Sequence, residues 1–346
     1  MKMWKKVSIV ALVLIVSSTM LFAQGKGEQK ATTLSVYTAL TDEEAIIFFD
    51  EFTKDTGIKV NYVRLSVGEV VTRLKAEKDN PQVSLFVGGA VDQHKDLAAS
   101  GILLPYRSKN ADSITAKEHL PSDNMYTPFS AVASCIISNT EWLKKNGLSA
   151  PRSWAELTKP EFRDNVTIAH PATSGAAYTV LSTLAQMMGV EPAFNYLQQL
   201  DRNIVQYTKS GAAPIRMAGL GESGIAIGYD DDAKTIQASG YPLQITYPSE
   251  GTGYEISCAA LIKGGPAREL ETAQEFLDWI LGEKSQRLWA ETLYRTPLNN
   301  DISIPASYTP FADIKLVDLD NDWSSANKVM LIDRFERQVR SKENVL

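Results

Sequence analysis

Between residues 34 and 100 the chain alternates two hydrophobic periods. A short apolar run at 34–37 is followed by 42–56, where Ala45, Ile46, Phe48, Phe49 and Phe52 recur at helical spacing behind Thr41 or Asp42 as a cap, and Gly57 supplies a stop. Residues 58–64 alternate as a strand does, 67–78 return to the helical period, 83–87 are continuously apolar, and 91–100 are helical again. This β-α-β-α-β-α order predicts a parallel sheet with helices on its faces, an α/β fold.

The pattern continues less regularly. Strands are expected at 131–138, 166–169, 204–207, 225–228, 243–247 and 258–262, with 311–316 extended. Helices are expected at 140–145, from Ser153 onward, and at 176–188, 191–200, 231–238, 269–281, 285–292 and 325–342. Polar loops at strand ends are where α/β sheets place ligands. Five stand out. Thr38 and Ala39 follow the first strand, and Gly88-Gly89, which lets a backbone approach a ligand closely, follows the third. Thr173-Ser174-Gly175 opens a long helix and offers hydroxyls, N–H groups and a positive dipole end to an anion, although ordinary N-capping by Ser174 or Thr173 is an equal reading. Ser210 stands at another helix start. The run 225–228 stops abruptly at Tyr229 and the carboxylates Asp230, Asp231 and Asp232, with Glu250 in a Gly-containing turn after the next strand.

Composition narrows the class. Residues 1–23 read as a signal peptide, with Lys2, Lys5 and Lys6 ahead of an apolar run too short for a membrane span, and cleavage is expected near Ala23. No cysteine lies near that point, which argues against a lipoprotein, and 24–33 reads as a flexible leader. Cleavage would remove three of the 35 basic residues and none of the 41 acids, leaving 323 residues with net charge −9. That balance disfavours nucleic acid and anionic membrane, and the length suits two domains. Cys135 and Cys258 are the only cysteines, and two buried free thiols are the simpler expectation. His94, His119 and His170 show no zinc spacing; His94 is expected on the surface of its helix and His119 in a loop, while His170 precedes the Thr-Ser-Gly turn. There is no nucleophile elbow, P-loop or dinucleotide fingerprint. An exported enzyme using Asp231 and Glu250 as acid and base is the competing class, weakened because no nucleophile stands opposite them.

Four segments together carry a resemblance: PRSWAELTKPEF at 151–162, PATSGAAY at 171–178, QYTKSGAAP at 206–214 and EGTGYEISCAALIKG at 250–264. They resemble the periplasmic solute-binding proteins of ABC importers, in the branch that includes ferric-iron-binding and hexose-phosphate-binding proteins, over essentially the whole chain from Leu34. The resemblance implies a type II periplasmic-binding-protein fold, two α/β lobes joined by two crossing hinge strands. Lobe 1 would comprise 34–130 with about 256–300, and lobe 2 131–255 with about 301–346. It would put Cys135 and Cys258 on neighbouring hinge strands, where a disulfide is the alternative to free thiols. It also implies a monomer in the periplasm that is not an enzyme, needs no cofactor, and passes its solute to an inner-membrane ABC permease.

Within that branch the ferric subgroup uses an adjacent tyrosine pair; here the matching place holds Tyr229-Asp230, a poor iron site kept as the alternative. The phosphate-ester subgroup fits better. By that resemblance Thr38, Ala39, Gly88, Gly89, Thr173, Ser174, Gly175 and Ser210 would surround the phosphate of a small phosphorylated solute. Asp231, Asp232 and Glu250 would take its polar tail. Hexose-phosphate binders carry His-Asp where this chain has Asp231-Asp232, so an aminoalkylphosphonate or amino-sugar phosphate stays open beside a sugar phosphate.

Overall fold

The computed structural model describes residues 31–115, 117–299, 301–306 and 308–340. The expected signal peptide, most of the leader and the last residues of the chain lie outside it.

The local signals read above produce the elements. β1 (Thr33–Thr38) leads into α1 (Asp42–Thr56), whose start is closed by a reciprocal capping box between Thr41 and Glu44 and whose end is Gly57 at φ 74°. The same device starts α2 (Val67–Ala76) after β2 (Lys59–Arg64), through Ser66 and Glu69. β3 (Leu85–Ala90) and α3 (Val91–Ala99) follow, then the short β4 (Leu103–Leu104). After β5 (Thr127–Asn139) come α4 (Thr140–Asn146), β6 (Val166–Ala169), α5 (Gly175–Met188), α6 (Val190–Asp201), β7 (Ile204–Thr208) and α7 (Ala213–Leu220). Next are β8 (Ile225–Tyr229), α8 (Asp230–Ala238), β9 (Leu243–Thr246) and β10 (Tyr254–Ile262). The chain ends with α9 (Leu270–Ile280), α10 (Glu283–Glu291), β11 (Thr296–Pro297) and α11 (Asn321–Gln338). The turn after Ser153 is a 3₁₀ helix, Ala155–Thr158. So is Phe311–Asp313, where an extended segment was expected; only Leu316 of that segment bridges a strand-like partner, Thr252.

The strand order is β2-β1-β3-β10-β5-β8-β6-β7. The first five form one lobe's sheet, with β1 parallel to β2 and β3 and with β10 antiparallel to both β3 and β5. In the other lobe β8 and β9 pair antiparallel with β5, and β6 runs parallel to β7 and β8. β5 belongs to both. Its thirteen residues are all buried; the first half pairs with β10 and the second with β8. The second crossing follows β9, where Thr252 Oγ1 donates to Ser134 O and Ser134 N donates to Gly253 O, both at 2.8 Å.

Each lobe has its own core. One cluster gathers Phe48, Phe52, Phe129, Phe276 and Trp289, the Phe48 and Trp289 rings 4.2 Å apart. Another surrounds Trp154 and Phe194 and is sealed by Leu331 and Phe335 of α11. A smaller group with Ile137, Ile215 and Ala226 covers the second sheet's other face. Burying a large apolar side chain contributes about 1.5–3 kcal/mol, so these clusters hold the lobes while the site lies between them.

The expected free thiols are found and the disulfide alternative is set aside, whereas the expected surface position of His94 is corrected. Cys135 and Cys258 are both free and buried: Cys258 lies opposite Pro128, whereas Cys135 is seven residues farther along β5, opposite Gly228. At ~3.3 Å per strand residue that is ~23 Å, far beyond disulfide reach. His94 is fully buried, not at the surface. It stacks on Phe86 at 4.7 Å because α11 covers the face of α3 that the sheet does not, and burial lowers its pKa to about 4.

Candidate functional site

The starts of α1, α2, α5 and α7 converge on one cleft of about 230 Å³ between the lobes. α1 and α2 close their first turns with their own glutamates. α5 and α7 carry no acid in the first turn, and the first N–H groups of a helix have no intrahelical acceptor. Ser174 caps α5 through Ala177 N at 3.3 Å, leaving Gly175 and Ala176 on the cleft wall. The N-capping reading of the Thr-Ser-Gly turn therefore holds for Ser174. Facing them is Gly88-Gly89, at φ 97° and 80°; a Cβ on Gly88 would stand 3.2 Å from Leu40 N, so only glycine fits without displacing the β1 loop.

Three cations line the cleft. Arg64, at the end of β2, spends its Nε on Leu40 O at 3.1 Å. Lys209, after β7, reaches across to Glu69 of the other lobe at 3.4 Å. Arg295, just before β11, is buried beneath the floor and holds Glu44 at 2.6 Å, Asp231 at 2.9 Å and Ser257 Oγ at 2.9 Å. Arg216 and Glu43 form a further contact between lobes at 3.6 Å.

The acids occupy one end. Glu255 accepts from Tyr229 Oη at 2.9 Å and Ser257 Oγ at 3.1 Å. Burial raises its pKa even though Arg295 pulls the other way. Burial raises Asp231 to about 7, opposed by Arg295, and burial with the Asp231 charge drives Asp232 well above the usual range. The two titrate as a pair. Arg295 at 2.9 Å favours the ionised Asp231, so the proton belongs on Asp232, which has no cation within ion-pair distance among the described residues. Tyr229 stays a phenol, its pKa raised by burial and by Glu255.

Of the residues picked from sequence, Ala39, Gly88, Gly89, Thr173, Ser174, Gly175, Ser210 and Asp232 line this cleft. Asp231 lies just beneath, bound to Arg295. Thr38 does not reach the cleft: it is fully buried, donating to Val87 O and accepting from Leu40 N to tie the first and third loops together. Glu250 is elsewhere, accepting from Trp154 N at 3.2 Å and Ala155 N at 3.1 Å to cap the 3₁₀ turn. Asp230 is committed at the hinge to Ala133 N, Lys234 and Tyr247, and Tyr229 Oη is bonded to Thr179 and Glu255. His170 sits 3.0 Å from Glu336 and also stays out. Sequence reasoning missed Arg64, Lys209, Arg295, Glu44 and Glu255. Lys209 and Glu255 lay inside the segments QYTKSGAAP and EGTGYEISCAALIKG, and Lys209 stands beside Ser210.

A sequence profile described as bacterial extracellular solute-binding protein matches residues 80–318. The chain belongs to this family. Its role is that of the substrate-binding component of an ABC import system, which implies a small solute and a permease partner. This solute-binding protein has the type II periplasmic-binding-protein fold. It is similar to the periplasmic binding protein AfuA from Actinobacillus pleuropneumoniae, solved with fructose-6-phosphate bound, at 31% identity and TM-score 0.83, with 90% of this chain and 99% of that one covered. An "uncharacterized protein" of Haemophilus influenzae is 32% identical over 89% of this chain and 90% of its own length. The "putative 2-aminoethylphosphonate-binding periplasmic protein" of Salmonella typhimurium is 27% identical, covering 74% of each. The first and last of these relatives are named as periplasmic binding proteins. No helix among the described residues of this protein is long and apolar enough to cross a membrane.

Proposed function

We propose that this protein captures a small phosphorylated organic anion, a sugar phosphate or a phosphonate, between its lobes and delivers it to the permease. The observation that carries this reading is the meeting of the acid-free starts of α5 and α7 with the Arg64 and Lys209 side chains on one cavity. Backbone N–H groups at helix starts orient a dianion, and the two cations supply countercharge that an all-neutral cradle would lack. Ala39, Gly88, Gly89, Thr173, Ser174, Gly175 and Ser210 form the oxyanion end, and Asp232 faces the rest of the ligand. The relatives named for fructose-6-phosphate and 2-aminoethylphosphonate support the same class.

The protein acts as an exported monomer, freed from its signal peptide near Ala23, whose lobes (34–130 with about 256–300, and 131–255 with about 301–346) close on the ligand by bending at β5 and the β9–β10 crossing. It performs no chemistry on the solute: Glu44, Asp231 and Glu255 are bound up with Arg295, Ser257 and Tyr229.

The test is a thermal-shift series on mature protein stripped of ligand by unfolding and refolding. Hexose phosphates, phosphonates, free sugars, inorganic phosphate and ferric citrate would be compared. Ligand at ~1,000 times its Kd adds about 4 kcal/mol, or roughly 8 °C at about 2 °C per kcal/mol. A shift with a phosphate ester but not its free sugar is expected, with the ester recovered intact by phosphorus NMR. A shift with ferric citrate alone would sink the reading.

A further inference from the structure

Beside the oxyanion cleft, and sharing Thr41, Glu44, Arg64 and Asp232 with it, lies a second compartment of about 310 Å³. Its charge is lopsided: Asp42, Glu43, Glu44, Asp231 and Asp232 stand against Arg64 and Arg216. Glu43 is matched by Arg216 at 3.6 Å, and Glu44 and Asp231 share the single Arg295 behind the wall. That leaves one guanidinium for two buried carboxylates, with Asp232 unmatched. A second observation points the same way. Asp231, a lining residue of this compartment, is 2% exposed, and its buried Oδ1 has no hydrogen-bond partner.

We propose that the ligand's second end is a protonated amine and that Asp232 is the residue that selects it. The proposal rests on the phosphate or phosphonate reading for the first end. A sugar hydroxyl could donate to Asp232, but it brings no charge, and the cluster of Glu44, Asp231 and Asp232 around Arg295 would keep its surplus negative charge in a site closed from water. An ammonium group cancels it and supplies three donors, enough for Asp232 and the orphaned Asp231 oxygen together. The ligand class is therefore dipolar: an oxyanion toward Arg64 and the helix starts, an ammonium toward α8. The raised pKa values of Asp231 and Asp232 agree, because such acids hold a proton until a cation replaces it.

Matched pairs decide the matter. Calorimetry on refolded wild type would compare 2-aminoethylphosphonate with ethylphosphonate, and glucosamine-6-phosphate with glucose-6-phosphate. The amine member of at least one pair is expected to bind roughly tenfold tighter or more, as charge-assisted hydrogen bonds exceed neutral ones, and Asp232→Asn should bring that ratio close to one. Equal binding within both pairs would overturn the amine assignment while leaving the phosphate reading intact. Failure of all four to bind would overturn both. The wild-type comparison stands even if D232N does not fold.

Discussion

Replacing Arg295 by methionine removes the one cation that two buried carboxylates share. The side chain is 9% exposed and carries contacts of 2.6 Å to Glu44 and 2.9 Å to Asp231 and Ser257. Methionine fills most of the volume, so packing changes little and the loss is electrostatic. Breaking a buried pair by removing one partner costs about 3–5 kcal/mol, because a charge is left without compensation. At about 2 °C per kcal/mol this is a fall in Tm of roughly 6–10 °C. The sign with pH is fixed by the acids. Without Arg295, Asp231 escapes the penalty by taking up a proton, which costs little near pH 5 and much near pH 8. The gap between wild type and R295M, read by differential scanning calorimetry, should therefore widen as pH rises. A Tm within 2 °C of wild type at pH 8 would refute the reasoning and mean the acids are already protonated. A gap that does not depend on pH would mean the loss is steric.

Four further outcomes are expected. Thiol titration should count no reactive cysteine in native protein and two after denaturation, since Cys135 and Cys258 are buried and unpaired; zero in both states would restore the disulfide. Gly253→Ala should destabilise by about 3 kcal/mol in denaturant melts, because its Cβ would sit 1.9 Å from Thr183 Oγ1 at the hinge crossing. The Arg64→Gln and Lys209→Gln variants should each weaken binding of a phosphorylated ligand roughly tenfold, with a shallower salt dependence; unaltered affinity in both would remove the cations from the site. For the ligand-free protein, Asp231, Asp232 and Glu255 all have folded pKa values raised above their unfolded values. The stability they contribute is complete below pH ~4, their unfolded range, and is lost as pH rises through about 7 for Asp231. Its Tm should therefore fall between pH 5.5 and 8; a rise over that window would contradict the assignment.

What the sequence revealed, and what it hid, follows the range of the interaction concerned. The cap at Thr41, the stop at Gly57 and the opening of α5 depend on neighbours three or four residues away, and all were visible as patterns. The loops after β1 and β3 were legible as cleft walls because parallel strands place their ends on one edge. Arg295 was not, since it lies in a loop of ordinary composition and reaches Asp231 only because β11 pairs with Ala131 and Ser130 of β5. Glu44 closes the capping box through one oxygen and holds Arg295 through the other. Glu250 and Thr38 had the right chemistry in the wrong place; each is used up locally by backbone partners that composition does not disclose. His94 looked solvated because nothing in its own helix tells that α11, more than 200 residues later, lies across it.

The position of β10 sets an order of events for a chain made from its N-terminus. β10 fills the slot between β3 and β5, strands that end more than a hundred residues before it begins. Until it arrives, both present unpaired edges, and Phe48 and Phe129 lack the Trp289 that later covers them. The N-terminal lobe, although first to be synthesised, cannot close until residues near 298 are available. The second lobe waits in turn for Leu331 and Phe335. Such late closure keeps the growing chain slack and threadable, at the cost of exposing strand edges to neighbours meanwhile.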